Sequence, residues 1–371
     1  MPKFKFGDLV YNITEKARPV AGDEEFYIGL EHLDSGSLSV KRWGSKVALK
    51  GDKIKMTKGD ILFGRRNTYL RRVALAPHNG LFSAHGMIFR ANEKYIDKDY
   101  LLFFIASDSF MDAAIRISVG SLSPTVNWKE LKELEFEIPD IESQRKTVEL
   151  LKSANALKEN YENLLSLTDE LVKSQFIEMF GNPITNSKHW STKPLKEVAP
   201  EYTAKIPKAD KYWWLNLDMI ETYSGQIIEK IYAKFDDIGN STSTFDDTMV
   251  LYSKLRPYLN KIVVPDENGY ATTELVGLKP DRKILNKYFL FNLLRGDDFV
   301  NFANGVSGGA QMPRMPLKIL RDFECILPPI ELQEAFVEIA QQSDKSKFEI
   351  KKAIENVSNL IKSLMSQDLS N

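Results

Sequence analysis

The chain has 371 residues, 43% hydrophobic and 27% charged, and its 50 Lys/Arg against 51 Asp/Glu leave a net charge of −1. That balance excludes a uniformly polybasic nucleic-acid binder, and the single cysteine, Cys325, excludes an internal disulfide or a CxxC zinc pair. No run of 18 apolar residues is present and the N-terminus shows no apolar leader core, so a soluble, cytoplasmic protein without membrane association is expected.

Residues 1–142 mix short β-type runs with Gly, Pro and Asn turns. Ile61-Leu62-Phe63, Val73-Ala74-Leu75, Met87-Ile88-Phe89 and Phe136-Glu137-Ile138 predict strands, and the run from Tyr100 to Ile105 predicts a buried helix. Charge is uneven here. Residues 41–90 hold twelve Lys/Arg and only two acids, Asp52 and Asp60, while the flanks on both sides are acidic. Aromatics and amides are interleaved with these cations, in Lys41-Arg42-Trp43 and in Arg65-Arg66-Asn67-Thr68-Tyr69-Leu70-Arg71-Arg72. Arg and Asn can pair two hydrogen bonds with guanine and adenine edges, and Lys and Arg pair with phosphates. Lys41, Arg42, Lys46, Arg65, Arg66, Asn67, Tyr69, Arg71 and Arg72 are therefore candidate DNA-contacting residues. The plainer reading is a solvated, charged strand pair. A second loop, Ser118-Val119-Gly120-Ser121-Leu122-Ser123-Pro124, offers Ser121 as a hydrogen-bonding group, or is simply a turn before the last strand.

From Ser143 to Phe180 there is no Gly or Pro, and Leu150, Ala154, Leu157, Tyr161, Leu164 and Leu171 recur at heptad spacing. A helix of about 37 residues is predicted, roughly 55 Å long. Gly181-Asn182-Pro183-Ile184-Thr185-Asn186-Ser187 then clusters turn formers.

The remainder repeats the beginning. A shift of 189 residues, without gaps, lays Leu62, Tyr69 and Leu70 on Leu251, Tyr258 and Leu259, and Gly120 and Pro124 on Gly309 and Pro313. It lays Leu131, Glu135, Pro139, Ile141, Glu142 and Gln144 on Leu320, Glu324, Pro328, Ile330, Glu331 and Gln333. Strands are expected at Val250–Tyr252, Ile262–Val264, Leu275–Leu278 and Cys325–Leu327, with a helix at Tyr288–Leu294. The second copy of the basic loop, Lys254-Leu255-Arg256-Pro257-Tyr258-Leu259-Asn260-Lys261, adds Lys254, Arg256, Tyr258, Asn260 and Lys261 as candidates. The second Gly loop adds Gln311 and Arg314. The last segment carries Ile339, Ile350, Ala353, Val357, Leu360 and Leu364 in the same heptad frame, with a softer start at Ser343 and Ser346.

The expected fold class is α+β, built from two pseudo-twofold-related α/β domains, 1–142 and 190–331. Two long antiparallel coiled-coil helices, 143–182 and 332–371, separate them. The alternative is that each helix folds back on its own domain. Catalytic constellations are poor. There is no GxxxxGK[ST] or GxGxxG loop, and Asn182-Pro183-Ile184 is not the Asn-Pro-Pro-aromatic set of an amino-methyltransferase. Pro265-Asp266 precedes Glu274-Leu275-Val276 without the final Lys of a nuclease set, and His85 is replaced by Glu274 in the other copy. No catalytic or metal-binding residue is expected. Trp213-Trp214 is expected to be a core strand.

The doubled strand, Pro, Gln, long-helix signature resembles the specificity subunit of type I restriction-modification systems over essentially the whole chain. It runs through Gly120, Pro124, Leu131, Pro139, Asp140, Ile141, Glu142 and Gln144, and again through Gly309, Pro313, Leu320, Pro328, Pro329, Ile330, Glu331 and Gln333. Phe180-Gly181-Asn182-Pro183 is similar too, while Asp140 stands where a second Pro is usual. The resemblance implies two target-recognition domains, each reading one half of a bipartite site on double-stranded DNA, with the helices fixing the unread spacer. It implies two modification (methyltransferase) subunits and two restriction/translocase subunits as partners. S-adenosylmethionine, ATP and Mg would then sit on those partners, with no cofactor and no catalysis on this chain. The difference between Arg65-Arg66-Asn67 and Lys254-Leu255-Arg256 predicts unlike half-sites. A site-specific nuclease acting alone and a protein-interaction scaffold that binds no DNA are the rival readings.

Overall fold

The computed structural model describes residues 1–239, 241–309 and 311–368. They form two compact units. The first is Met1–Asn163 together with the second long helix from Ile350 onward, and the second is Leu164–Glu349. The long helices run Ile141–Phe180 and Ile330–Asp368, so each contributes to both units.

In the first unit, Val10–Ile13, Met87–Ala91, Ile61–Phe63 and Val73–Leu75 lie side by side, all antiparallel. A second sheet takes the order Lys16–Ala17, Lys53–Met56, Gly80–Phe82, Tyr27–Ile28, and its last pair is parallel. Successive residues of a strand face opposite ways. The apolar runs therefore need burial on both sides, and both are supplied. Ile61, Phe63, Val73 and Phe89 join the larger core with the helices Lys98–Ala106 and Asp108–Arg116. Leu62, Ala74 and Ile88 enter a smaller core with Ile28, Met56 and Phe82. Asp97 caps the first of these helices, accepting from the Asp99 and Tyr100 amides, and Ser107 caps the second.

The second unit repeats the plan with Ile262–Val263, Val250–Ser253 and Leu275–Leu278 in one sheet. The other sheet is Ile231–Ala233, Tyr212–Leu215, Gly269–Thr272 and Thr242–Phe245. The units differ at the edges of that sheet. The first adds Lys16–Ala17 beside Lys53–Met56, whereas the second adds Ile231–Ala233 beside Tyr212–Leu215. Trp213 lies buried in a core strand, as its sequence context suggests. Cys325 is wholly buried, and burial pushes its thiol up to about 12.

The long helices are exchanged. The first core takes Val148 and Leu151 from the first helix and Ile361, Leu364 and Met365 from the second. The second core takes Phe336, Val337 and Ala340 from the second helix and Val172, Phe176 and Phe180 from the first. Surface ion pairs repeat the exchange, with Lys362 against Asp108 (3.7 Å) and Lys173 against Asp297 (2.9 Å). In the second unit the helices run antiparallel. Ser343 Oγ donates to Thr168 O (3.4 Å), and the buried Lys347 pairs with Asp169 and Asp344.

The seam differs from the one the heptads suggest. Leu150, Leu157, Leu164 and Leu171 are 44–58% exposed, and Ile339 and Leu360 are exposed too. The buried face of the first helix is Val148, Leu151 and Ala154, then Val172, Phe176 and Phe180. Of the second helix's frame, Ile350 and Val357 are buried. The physical reason is that each helix end packs on a globular core. Those cores draw in the valine, phenylalanine and methionine face, which leaves the leucine row outward.

Two buried glutamines fix where each helix leaves its domain. Gln144 Nε2 donates to Tyr95 O (3.1 Å) and Pro139 O (2.8 Å), and its Oε1 accepts from the Asp97 amide (2.7 Å). Gln333 makes the same three bonds, to Ile284 O (3.0 Å), Pro328 O (2.8 Å) and the Asn286 amide (2.9 Å). Asp97 and Asn286 are themselves helix caps. A buried polar group left without a partner costs about 1–3 kcal/mol. Gln144→Ala leaves three such groups, so a loss of about 3 kcal/mol is expected from the summed penalty. Urea unfolding measures it, and an unchanged midpoint contradicts the clamp.

Candidate nucleic-acid interface

The basic loop of the first unit joins Ile61–Phe63 to Val73–Leu75. It is closed by the Gly64 amide donating to Arg72 O (2.9 Å). Inside it, Thr68–Leu70 makes a single 3-10 turn between two left-handed residues, Asn67 (φ 54°) and Arg71 (φ 50°). The Gly/Ser loop lies along it as a strap. Val119 and Thr125 exchange backbone bonds, the Asn67 amide donates to Pro124 O (2.7 Å), and the Val126 amide donates to Arg65 O (3.0 Å). The two loops read separately from the sequence are thus one structure.

The second unit reproduces it bond for bond. The Ser253 amide donates to Lys261 O, the Arg256 amide to Pro313 O (2.7 Å) and the Met315 amide to Lys254 O (2.9 Å). Pro257–Leu259 is the 3-10 turn, with Arg256 (φ 49°) and Asn260 (φ 48°) left-handed on either side. The straps turn on Gly120 (φ 112°) and Gly309 (φ 103°), a backbone region open to glycine at no steric cost. Non-glycine residues rarely adopt positive φ, and such strain persists where the surroundings impose it.

The candidate residues separate by what their side chains already hold. Lys41 lies 3.6 Å from Glu162. Arg42 grips both oxygens of Asp34 (2.8 Å each) and the Glu31 carbonyl, and this hydrogen bonding holds the Asp34 carboxyl below the usual carboxylate range. Arg71 pairs with Asp108 and Asp112. In the second unit Glu274 collects Arg314 (2.9 Å) and Lys254 (4.0 Å), and its bond holds Arg314 above its ordinary value. Asn260 is buried and donates to Arg295 O (2.7 Å), while Lys261 donates to Leu217 O (2.6 Å). These seven side chains are engaged within the fold, so their types alone overstate the cationic surface.

Others remain available. Among the described residues Lys46, Arg65, Arg72 and Arg256 have no ion-pair partner. Arg66 is exposed and, among the described residues, its side chain donates only to Ser123 Oγ (3.2 Å), a strap residue not singled out from the sequence. Tyr69 and Tyr258 are exposed at matching places, and Ser121 and Gln311 are exposed on the straps. Lys46 lies on a separate segment, outside the loop and strap. Four buried polar atoms of the loops lack a hydrogen-bond partner, namely Arg65 Nε, Asn67 Oδ1, Arg256 Nε and Asn260 Oδ1. Such orphans are unusual in a folded interior.

One further contact recurs. Leu70 O accepts from Ser35 Oγ (2.5 Å), and its counterpart Leu259 O accepts from the Tyr223 amide (3.2 Å). Both donors lie in turns that also match under the 189-residue shift, Ser35-Gly36 falling on Ser224-Gly225. That repetition was present in the sequence, but it is only two residues long and stands among unlike neighbours.

Among the described residues no helix is long and apolar enough to cross a membrane. The chain is 20% identical over 365 residues to a putative type I restriction enzyme MjaX specificity subunit of Methanocaldococcus jannaschii, covering 90% of this chain and 85% of that relative. It is 22% identical over 152 residues to the type I restriction enzyme EcoDI specificity subunit of Escherichia coli, covering 40% of this chain and 34% of that protein. The fold is similar to the type I restriction-modification S subunit from M. genitalium, with TM-score 0.55 and 15% identity over 99% of this chain and 96% of that one. A chain from a structure of type I restriction-modification complex assembly gives TM-score 0.58 at 15% identity, over 99% and 97% of the two chains. The family profile described as type I restriction modification DNA specificity domain matches twice, over residues 3–166 and 187–358. The two matches together span most of the chain, and the chain belongs to the type I restriction-modification DNA-specificity family, as a DNA sequence-specificity subunit.

Proposed function

We propose that each unit reads one half of a bipartite DNA site through its loop and strap. The observation that carries this reading is the bond-for-bond recurrence of loop, strap and paired left-handed residues, with unlike side chains on the two copies. Arg65, Arg66 and Asn67 face one half-site with two arginines and an amide, and Arg256 with Gln311 face the other. Ser121, Tyr69 and Tyr258 complete the contact surfaces. Arg71, Arg42, Arg314, Lys254, Lys261 and Asn260 shape these surfaces from behind. A guanidinium on a guanine edge discriminates by about 1–3 kcal/mol.

The long helices supply the spacer and the docking surface for partners. Each is an uninterrupted helix over its described length, which suits a spacer set by helix rise. The outward leucine row at 150, 157, 164 and 171 is apolar surface at seven-residue spacing. That spacing suits a helix of another chain. Two modification subunits dock there, and two restriction/translocase subunits join them in the cytoplasm. Methylation and cleavage, with S-adenosylmethionine, ATP and Mg, belong to those partners, and this chain contributes recognition.

Three measurements test this. In the assembled methyltransferase, Arg65→Ala or Arg256→Ala should relax one half-site by on the order of 1–3 kcal/mol. Arg71→Ala should instead lower thermal stability and leave the methylated sequence unaltered. Normal methylation of the same sequences by both reading-loop variants would falsify the assignment. Leu157→Lys with Leu164→Lys should weaken binding of modification subunits at least tenfold, since burying one leucine is worth about 1.5–3 kcal/mol. Helicity should be unchanged, and undiminished assembly sinks the docking surface. Removing one matched turn from each long helix, about 5.4 Å, should shift the preferred spacer by about one to two base pairs. Long-read mapping of methylated adenines reads this out, and an unmoved spacer rejects the ruler.

A further inference from the structure

Among the described residues seven non-glycine residues have positive φ. Four are the paired loop residues and two, Asn186 and His189, lie between the repeats. The seventh is Tyr223 (φ 66°), whose counterpart under the 189-residue shift is Asp34, which is not left-handed. A bulky residue in this region is a genuine outlier, and unlike Asn it has no short side chain to bond locally.

Several contacts hold it there. The Ser224 amide donates to Thr222 O (2.9 Å), closing a three-residue turn around Tyr223 of the rare, strained hand. The Tyr223 amide donates to Leu259 O (3.2 Å), and Arg295 Nη2 donates to Tyr223 O (2.8 Å). The Arg295 guanidinium lies over the Phe291 ring (5.0 Å), and its carbonyl receives the Asn260 amide group. Gly225 follows, and a Cβ there would stand 2.2 Å from Ile262 O, so the turn is pressed against the strand that leaves the reading loop. The strained turn is therefore bolted to Leu259, Asn260 and Ile262 together.

Every backbone polar group of Tyr223 is engaged, while the residue is 62% exposed and its hydroxyl has no hydrogen-bond partner among the described residues. Strain held by the surroundings to present an unpartnered side chain is a mark of function. Among the described residues the second unit's loop and strap keep one unpaired cation, Arg256, because Glu274 takes Lys254 and Arg314 and a backbone carbonyl takes Lys261. A tyrosine supplies what is missing, a flat apolar face and a hydroxyl that donates and accepts.

We infer that Tyr223 is a specificity-determining residue of the second unit, contacting DNA in the same half-site as Arg256. This rests on the proposed reading of the two loops. In the first unit the corresponding place is held by Asp34 under Arg42, so the contact is peculiar to one half-site.

The test uses the full complex with its modification subunits. Tyr223→Ala and Tyr223→Gly are compared with wild type by mapping methylated sequences, by binding at several salt concentrations and by thermal melting. Both variants should lose at least tenfold discrimination in the half-site that Arg256→Ala relaxes, with the other half intact. The salt dependence of binding should be unchanged, because the lost group is neutral. Tyr223→Gly should melt no lower than wild type, since glycine accepts the turn without strain. Wild-type discrimination by either variant, or relaxation of the other half-site, overturns the inference. A wild-type complex with no sequence preference in the half assigned by Arg256→Ala would instead fail the underlying reading, before any Tyr223 variant is compared.

Discussion

The two recognition cores close on helix ends that come from the opposite repeat. Ile361, Leu364 and Met365 seal the first, and Val172, Phe176 and Phe180 seal the second. Burial of large apolar side chains is the main favourable term in such a fold, at about 25 cal/mol per Å². Everything else hangs on this exchange. Asp108, which meets Lys362 on the incoming helix, also holds Arg71 of the basic loop. In the first unit the posture of that loop is therefore tied to the helix that completes the core beneath it.

Duplication explains what the units share, and divergence explains what sets them apart. The shared parts are the backbone-directed glutamine clamp, strap and left-handed pairs, together with the Lys–Asp ion pair to the incoming helix. The unlike parts are side chains aimed outward. Glu274 stands where the first unit has His85, and it draws in Arg314 and Lys254. One substitution at a matched position thus changes how many cations a loop offers without altering its backbone.

Much of this was legible in the chain. The strands, the helix runs and the period of 189 follow from local apolar patterning and turn chemistry, which tertiary contacts reinforce here. The seam did not follow. Heptads show that Leu150, Leu157, Leu164 and Leu171 share a face, but not that Val148, Leu151 and Phe176 have a deeper core to enter. The ion pairs did not follow either. The basic window was real in composition, yet Lys41 meets Glu162, Arg42 meets Asp34 and Arg71 meets Asp108, and long-range pairing leaves no periodic trace. Tyr223 escaped for a related reason, since its backbone conformation depends on Leu259 and Arg295, far along the chain.

The exchange also sets an order of completion during synthesis. The second unit is one continuous stretch, Leu164–Glu349, and every part of its core is available once that stretch has emerged. The first unit is begun earliest, but it stays unsealed until residues 361–365 have been made. Domains ordinarily finish in the order of translation. Here the first unit's core draws on residues 361–365, which the chain supplies only after the whole of the second unit.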